Sequence, residues 1–376
     1  MKHYILGDVV DVISERENDP SLSGYERFVG LKHYVSGDVE IKKYGTTENL
    51  NSSMKVFKSG DILVARRNVY LKRASVVYFD GLTSGDSIVL RAKNENIGRV
   101  LPFILNTSEF WDYANQHSDG TMSKRLSPKV LKAYEFDLPD DNELEELADL
   151  LWSLVDTKNA YEELLIKTDE LVKSQFIEMF DGRSDIDKVL LKDAFDLQMG
   201  KTPARAESKL WQSKDHKWIS IADMSTYGKY TGDTKEYLSD IAIKSTGIKI
   251  VPQNTVIMSF KLTIGRTAIT SEDIYTNEAI MAFIPKMDLF DINYLRFALH
   301  YFNWESGVQN AVKGATLNKK IIGNTEFGVP SIEEQISFVE FAEQSDKSKF
   351  ELQQAIESTD NLIKSILYSN LEEKKE

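Results

Sequence analysis

The sequence predicts an α+β fold with two similar mixed α/β domains, each followed by a long helix. The prediction rests on an internal repeat, because residues 168–174 return as residues 359–365 at an offset of 191. The same offset carries residues 136–139 onto residues 327–330. Between these anchors the apolar residues recur at steps of three and four, which is the spacing of one helix face. Two matched apolar faces indicate that the helices pair as an internal coiled coil.

The apolar seam of this coiled coil runs through both copies of the repeat, interrupted by Lys158 in the first and by Lys349 in the second. A seam of about 39 residues, or roughly 58 Å of helix, must be covered by a partner. Two ordinary core helices are the alternative, although matched core helices of this length are uncommon. The seam residues are Leu147, Leu151, Leu154, Tyr161, Leu165 and Val172 in the first copy and Phe338, Ala342, Leu352, Ile356, Ile363 and Ile366 in the second.

The repeat divides the chain into four consecutive parts. Residues 1–137 and 183–329 form the two mixed domains, and residues 138–182 and 330–376 form the two long helices. Helices are also predicted from Pro102 to residue 117 and from residue 291 to about residue 310. Short β-branched or alternating runs, bounded by Gly, Asn, Asp and Ser, predict strands at residues 28–35, 61–66, 74–79, 87–92, 218–224, 255–260, 266–270 and 278–284.

Composition favours a cytoplasmic protein. The sequence has no cysteine, which excludes disulfides and thiolate metal sites. Its start lacks the apolar core of a signal peptide, and no apolar run approaches the roughly 18 to 20 residues that cross a bilayer. The net charge of −13 comes from the helical parts, with 5 basic against 15 acidic residues in 138–190 and 5 against 11 in 330–376. These acidic faces are either simply solvated, or they repel phosphate and leave its binding to the domains.

The sequence contains no constellation typical of a catalytic or metal site. None of its five histidines has a partner at zinc-site spacing. Gly200-Lys201-Thr202 resembles the end of a phosphate-binding loop, but the first glycine of that motif would fall at Phe195. Dinucleotide fingerprints, the Gly-x-Ser-x-Gly elbow and any Pro-Pro pair are also missing. We therefore predict a protein that is not an enzyme, with no catalytic residue, no metal and no cofactor of its own.

Basic side chains cluster at predicted loops in both domains. Arginine can donate two hydrogen bonds to guanine, asparagine can bind adenine, and lysine mainly neutralises phosphate. The clusters recur at matching places in the two repeats, which favours nucleic-acid binding over an ordinary solvated surface. The predicted contacts are Lys42, Lys43, Arg66, Arg67, Asn68, Lys72, Arg73, Lys124 and Arg125 in the first domain and Lys201, Arg205, Lys261, Arg266, Lys319 and Lys320 in the second.

In the order of its parts, the chain resembles the specificity subunit of type I restriction-modification systems over essentially its full length. The motifs that carry the resemblance are Gly-Asp-Ile-Leu-Val-Ala-Arg at 60–66, Gly-Lys-Thr-Pro at 200–203, Trp211, Trp-Ile at 218–219, and Val-Pro at 329–330 followed by Glu334-Gln335. The two copies differ at two of these places. Glu143-Leu144 stands where the second helix has Glu334-Gln335, and Asn254-Thr255 stands where the first domain has Gly60-Asp61.

The resemblance implies a subunit that performs no chemistry itself. Two target-recognition domains, held by an antiparallel pair of helices, would each read one half of a bipartite, asymmetric site in double-stranded DNA. The expected partners are two adenine-N6 methyltransferase subunits that use S-adenosylmethionine, and ATP-driven restriction/translocase subunits; no membrane is expected. A non-catalytic coiled-coil adaptor that binds no nucleic acid is the alternative function, and a single-chain restriction-methylation enzyme is a further one.

Overall fold

The computed structural model describes residues 1–120, 123–304 and 317–371 of the chain. These residues form two compact units, one made of Met1–Glu162 with the chain from Gln353 onward and the other made of Glu163–Leu352. Two 40-residue helices, Asp141–Phe180 and Ile332–Leu371, each contribute one end to each unit. None of the described helices combines the length and the apolarity that a membrane span requires.

The first unit contains a four-stranded sheet, a five-stranded sheet and a two-stranded ribbon. Its strands are β1 (Lys2–Ile5), β2 (Val10–Ile13), β3 (Arg16–Glu17), β4 (Arg27–Val29), β5 (Gly45–Thr46), β6 (Met54–Phe57), β7 (Ile62–Ala65), β8 (Ala74–Val76), β9 (Gly81–Thr83), β10 (Ser87–Ala92) and β11 (Glu135–Leu138). Its helices are α1 (Leu6–Val9), α2 (Glu95–Ile104), α3 (Ser108–His117), α4 (Pro128–Lys132) and the start of α5 (Asp141–Phe180). The sheet orders are β2-β10-β7-β8 and β3-β6-β9-β4-β5, and β1 pairs with β11.

The four-stranded sheet of the first unit is buried on both faces. Because successive side chains of a strand point to opposite faces, Ile62 and Val64 of β7 pack in one apolar cluster with the helices. Leu63 and Ala65 pack in a second cluster, against the five-stranded sheet. The layers are therefore helices, four-stranded sheet and five-stranded sheet, which holds the ends of β7 in a fixed position.

The second unit has a similar four-stranded sheet, of order β13-β19-β16-β17, a three-stranded sheet β15-β14-β18, and the ribbon β12-β20. Its strands are β12 (Asp187–Leu190), β13 (Phe195–Met199), β14 (His216–Ile219), β15 (Glu236–Leu238), β16 (Val256–Ser259), β17 (Thr267–Ile269), β18 (Tyr275–Thr276), β19 (Ile280–Pro285) and β20 (Glu326–Val329). Its helices are α6 (Leu191–Ala194), α7 (Ile221–Met224), α8 (Asp240–Thr246), α9 (Ile292–Tyr301), α10 (Lys319–Gly323) and the start of α11 (Ile332–Leu371).

Two of the predicted strands are shorter than predicted, since the strand at 28–35 ends at Val29 and the strand at 74–79 ends at Val76. Two other predicted elements are wrong in their bounds because of a local cap. Pro102 does not begin a helix but lies inside α2, and the predicted helix to residue 117 is in fact two helices separated at Thr107, whose hydroxyl caps α3. The predicted strand 218–224 ends at Ile219, because Ser220 and Asp223 form a capping box that begins α7. In both places a local side-chain cap determines the backbone. Residues 305–310 of the helix predicted from residue 291 lie outside the described residues.

The two long helices pack against each other in antiparallel orientation. Within the second unit, Asp169 of α5 pairs with Lys349 of α11, and Phe180 of α5 stacks edge-on to Phe338 of α11 at 5.6 Å between ring centroids. Moving forward along α5 therefore means moving backward along α11. Two mixed α/β domains, each followed by a long helix that pairs with the other, confirm the predicted fold class.

The interruption of the apolar seam is an ion pair that occurs twice. Lys158 contacts Asp360 at 2.9 Å in the first unit, and Lys349 contacts Asp169 at 2.7 Å in the second. The offset of 191 converts Lys158 into Lys349 and Asp169 into Asp360, so the repeat relates one contact to the other. The two lysine side chains are only 16% and 21% exposed. Burial lowers the pKa of each lysine, but the facing carboxylates outweigh it and raise the pKa above its ordinary value.

Candidate nucleic-acid interface

In the first unit, several loops emerge together at one end of the four-stranded sheet. β7 and β10 are antiparallel with Ala65 opposite Ser87, so the loop after β7 and the loop before β10 meet at the same end. The loop after β7, residues 66–73, carries four of the predicted cationic side chains and Asn68. Asp86 is the last residue before β10, and its backbone oxygen accepts a hydrogen bond from Arg66 N at 2.9 Å.

The predicted cluster at Lys124 and Arg125 lies directly beside this loop. Asn68 N donates to the backbone oxygen of Lys124 at 3.0 Å, and Leu126 N donates to that of Arg66 at 2.8 Å. These bonds join two segments that are separated by more than fifty residues in the sequence. Two basic clusters that the sequence presents as independent are therefore one surface, which we call the unit 1 edge and define as residues 66–73, Asp86 and residues 123–126.

The unit 1 edge is electrostatically positive. Asp86 lies between two cations, 3.1 Å from Arg125 and 3.9 Å from Arg67. Arg66 Nε is buried and has no hydrogen-bond partner among the described residues. The pKa of Lys55 is consistent with positive surroundings. Burial lowers this pKa, and the nearby positive charges of Arg66 and Arg16 lower it further. A single carboxylate against this set of cations leaves the edge attractive to an anion.

Some predicted contacts of the first domain are occupied within the protein. Arg73 is buried and donates to the backbone oxygens of Leu31 and Arg67, both at 3.0 Å, so it shapes the loop from inside. Lys42 binds Glu162 and Asn159 on α5, away from the unit 1 edge. Lys43 and Lys72 are exposed.

The second unit brings loops together at the corresponding end of its four-stranded sheet. Met199 lies opposite Met281, and Ser259 lies opposite Ile280, so the segment after β13 and the loop after β16 meet there. We call this surface the unit 2 edge and define it as residues 200–202 and 260–266. Gly200 is required for the approach, because a Cβ at that position would lie 2.0 Å from the backbone oxygen of Thr276.

Lys201 and Arg205 are held by contacts within the second unit. Lys201 N donates to the backbone oxygen of Thr276 at 2.9 Å, and its Nζ donates to that of Thr246. The Arg205 guanidinium lies 4.1 Å from the ring centroid of Trp211 and forms two hydrogen bonds with the Glu236 carboxylate. The structure thus gives Arg205 a bracing role between the tryptophan and the acid.

The remaining predicted cations of the second domain are on or near the surface. Lys261 and Arg266 flank the loop after β16 and are half-buried, whereas Lys319 and Lys320 are exposed in the first turn of α10. Asn318 caps that helix by accepting hydrogen bonds from the backbone N–H groups of Lys320 and Ile321. Residues 314–316, which belong to the same predicted basic loop, lie outside the described residues.

The predicted seam positions are all buried or half-buried. They are Leu147, Leu151, Leu154, Tyr161, Leu165, Val172, Phe338, Ala342, Leu352, Ile356, Ile363 and Ile366. Among the described residues, no three histidine, aspartate or glutamate side chains come together as metal ligands.

Sequence reasoning missed Asp86 of the unit 1 edge and two cations near it, Lys55 and Arg16. Asp86 and Lys55 have no charged residue directly beside them in the sequence, and Arg16 stands between Glu15 and Glu17. Their neighbours in space come from other strands. The only local signal is Gly85-Asp86 before a strand, which also fits an ordinary turn.

A family model for the type I restriction modification DNA specificity domain matches residues 183–359 of the chain. The match covers just under half of the chain. The type I restriction enzyme EcoprrI specificity subunit of Escherichia coli is 27% identical over 114 residues, which is 30% of this chain and 28% of that protein. The match therefore spans less than a third of that relative's length. Specificity subunits of the family are non-catalytic within their restriction-modification complex.

Solved structures match the chain over nearly its full length. One, from work on complex assembly and conformational transition of a type I restriction-modification system, has a TM-score of 0.60 and 18% identity, and the match covers 97% of this chain and 96% of that one. A type I restriction-modification S subunit from M. genitalium has a TM-score of 0.52 and 12% identity, covering 98% and 96%. At 18% and 12% identity, the matches show only that these chains share the fold described above.

Proposed function

We propose that this chain is the DNA-recognition subunit of a type I restriction-modification complex and reads a bipartite, asymmetric site in double-stranded DNA. One observation carries the proposal: in both units, cationic loops meet at the same end of a four-stranded sheet. The family match to a DNA specificity domain supports assigning these edges to DNA. Because the two edges carry different side chains, the two half-sites differ in sequence.

The proposal assigns separate roles within the unit 1 edge. The exposed Arg67 and Arg125 read base edges, since an aligned guanidinium can donate two hydrogen bonds to guanine. Asp86 aligns both of them. Asn68 accepts a hydrogen bond from Ser123 Oγ at 3.0 Å, which orients its amide and leaves Nδ2 free to donate to a base. The half-buried Arg66 and Lys55 supply charge toward phosphate.

In the unit 2 edge, Lys261 and Arg266 are the proposed DNA contacts, with Lys319 and Lys320 as further phosphate contacts. Lys201 and Arg205 keep the segment after β13 in place through their bonds to Thr246 and Glu236.

The proposal also concerns domains and partners. Residues 1–137 and 183–329 are the two target-recognition domains, and residues 138–182 and 330–376 are the connecting helices. The chain docks two adenine-N6 methyltransferase subunits and, in a larger assembly, restriction/translocase subunits, in the cytoplasm. S-adenosylmethionine and ATP bind to those partners.

The test is a genome-wide map of N6-methyladenine in the source cell with this gene intact, deleted and restored. We expect deletion to remove methylation from one two-part motif and restoration to return it. An unchanged map, with the neighbouring methyltransferase shown to be expressed, would contradict the proposal and favour an adaptor that binds no nucleic acid.

A further inference from the structure

The loops after β7 and β16 share a feature that the proposed contacts leave unexplained, which is an apolar side chain at the tip. Both loops connect the same two strands of the sheet order, the inner strand and the edge strand beside it. Tyr70 is 58% exposed at the tip of the first loop, and Leu262 is 93% exposed at the tip of the second. A fully exposed leucine forgoes the favourable free energy of burying its side chain, and this free energy ordinarily places apolar residues inside a protein.

Leu262 is also in an unfavourable backbone conformation. Its φ is +63°, and Thr263 N donates to the backbone oxygen of Lys261 at 2.8 Å, which makes Leu262 the centre of a tight three-residue turn. Residues other than glycine and asparagine rarely adopt a positive φ, and such strain persists where surrounding structure imposes it.

Hydrogen bonds around the loop impose the positive φ on Leu262. Phe260 N donates to the backbone oxygen of Ala279 at 2.9 Å, and Gly265 N donates to that of Ser259 at 3.0 Å, which closes the loop at both ends. His300 Nδ1 of α9 donates to the Gly265 oxygen at 2.7 Å. The loop therefore presents Leu262 to solvent from an anchored base.

The first loop presents Tyr70 in a comparable way. A short helical turn, Val69–Leu71, is bracketed by Asn68 at φ +56° and Lys72 at φ +48°. Val69 is buried and anchors the turn, while Tyr70 points away from the core and is exposed. Of the four non-glycine residues with positive φ in the described part of the chain, three lie in these two loops.

Charge indicates what the tips contact. Arg67 and Lys72 flank Tyr70, and Lys261 and Arg266 flank Leu262. An apolar tip between cations fits a ligand that is anionic outside and apolar inside, and duplex DNA has phosphates outside and stacked bases inside. Apolar side chains can insert between base pairs and partly unstack them.

We propose that Leu262, and in the other half-site Tyr70, insert against a base step and unstack it when the chain binds its target. The inference rests on the proposed function. The two side chains are wedges that deform the duplex, which makes them distinct from the cations that hold it.

The test uses the full-length chain in its modification complex and duplexes bearing the motif from the methylation map, with 2-aminopurine at successive positions. We expect the wild-type complex to raise 2-aminopurine fluorescence at one step in each half-site. Leu262→Asn, which tolerates a positive φ but is polar, should abolish the signal in one half-site and weaken specific binding about tenfold. The salt dependence of binding should not change, because no cation is lost.

Three further variants keep the result interpretable. Leu262→Met retains an apolar tip and should retain the signal. Met287→Asn is the matched control, since Met287 is also exposed but follows β19 at the opposite end of the sheet. Tyr70→Ser should abolish the signal in the other half-site only. Melting curves show whether each variant is folded.

The outcomes separate the two proposals. If the wild-type complex shows no sequence-specific binding, the proposed function fails. If it binds specifically but Leu262→Asn leaves both affinity and fluorescence unchanged, the wedge is wrong and the function stands. If Leu262→Asn instead releases a methyltransferase subunit without changing the fluorescence, the tip is a protein contact, and the wedge is likewise wrong.

Discussion

At the scale of single residues, the structure separates cations that face outward from cations that hold the protein together. Arg67 and Arg125 are exposed and converge on Asp86, whereas Arg73 is buried on backbone oxygens and Arg205 is braced against Trp211. All four look alike in the sequence, where each is one arginine in a loop. The difference arises from partners that are distant in the chain.

Replacing Arg66 and Arg67 with alanine should affect one half-site only. Loss of the proposed Arg67 base contact reduces discrimination by about 1–3 kcal/mol, and loss of Arg66 removes charge toward phosphate in the same unit. We therefore expect relaxed or abolished recognition of the half-site read by the first unit. The measurement is the methylated motif in cells that carry the variant. Lys129→Ala, an exposed cation on α4, is the control. Equal weakening of both half-sites would show that the two arginines are general phosphate contacts at best.

Asp86→Asn should lower specificity while it strengthens non-specific binding. The substitution removes a negative charge, which favours phosphate, but it also releases Arg125 and Arg67 from alignment. We expect the free-energy difference between specific and non-specific binding to fall by about 1–2 kcal/mol. Competition with unrelated duplex measures it as the ratio of the two affinities. Asp112→Asn, an equal charge change at an exposed position on α3, should leave the ratio unchanged. A preserved ratio in Asp86→Asn would remove the positioning role.

At the scale of elements, a polar contact inside an apolar seam fixes the alignment of two helices. An apolar face alone tolerates a shift along the partner, because leucine packs on leucine in several registers. The pairs Lys158–Asp360 and Lys349–Asp169 form in one alignment, and a shift would leave a half-buried charge unpaired. Asp38 also reaches Lys158, at 3.4 Å, and so ties a loop of the first domain to the same point.

Reversing one partner of such a pair should destabilise the chain, and reversing both should restore it. For Lys158→Glu we expect a loss of about 1–3 kcal/mol in the free energy of unfolding, largely recovered by adding Asp360→Lys. Thermal or denaturant unfolding provides the measurement.

The sign of the pH dependence follows from the raised lysine pKa. The contribution of the pair is complete below pH 10.5 and is lost as pH rises through the raised value. The stability difference between the wild type and Lys158→Met should therefore narrow above pH 10.5.

The charge reversal has its own contradicting outcome. If Lys158→Glu combined with Asp360→Lys does not recover the lost stability, packing and not the ion pair fixes the alignment of the helices.

At the scale of the whole molecule, each 40-residue helix spans about 60 Å, more than one turn of duplex at about 34 to 36 Å. On the proposed function, the helices act as a ruler that leaves a spacer unread between two half-sites. The repeat gives the two helices the same length, whereas the loops of the two units carry different side chains.

Deleting one heptad from each helix, residues 161–167 and the repeat-related residues 352–358, should change the spacer or abolish methylation while leaving the half-site sequences intact. The deletion shortens each helix by about 10 Å and retains the seam's period. The methylation map reports both motif and spacer. An active complex with an unchanged spacer would refute the ruler.

Local periodicities that are redundant over many residues predict the repeat, the long helices, their apolar seam and the α+β class from the sequence alone. The sequence located the cationic clusters but did not separate exposed cations from cations that bind within the protein. Nor did the sequence predict that Lys158 pairs with Asp360 and that Lys349 pairs with Asp169. The tertiary structure shows which cations share an edge, that Arg67 and Arg125 both lie within 3.9 Å of Asp86, and how anchored loops hold Tyr70 and Leu262 outward. The physical reason is that such contacts join residues tens to hundreds of positions apart, and their geometry depends on strand register and on hydrogen bonds that no local pattern encodes.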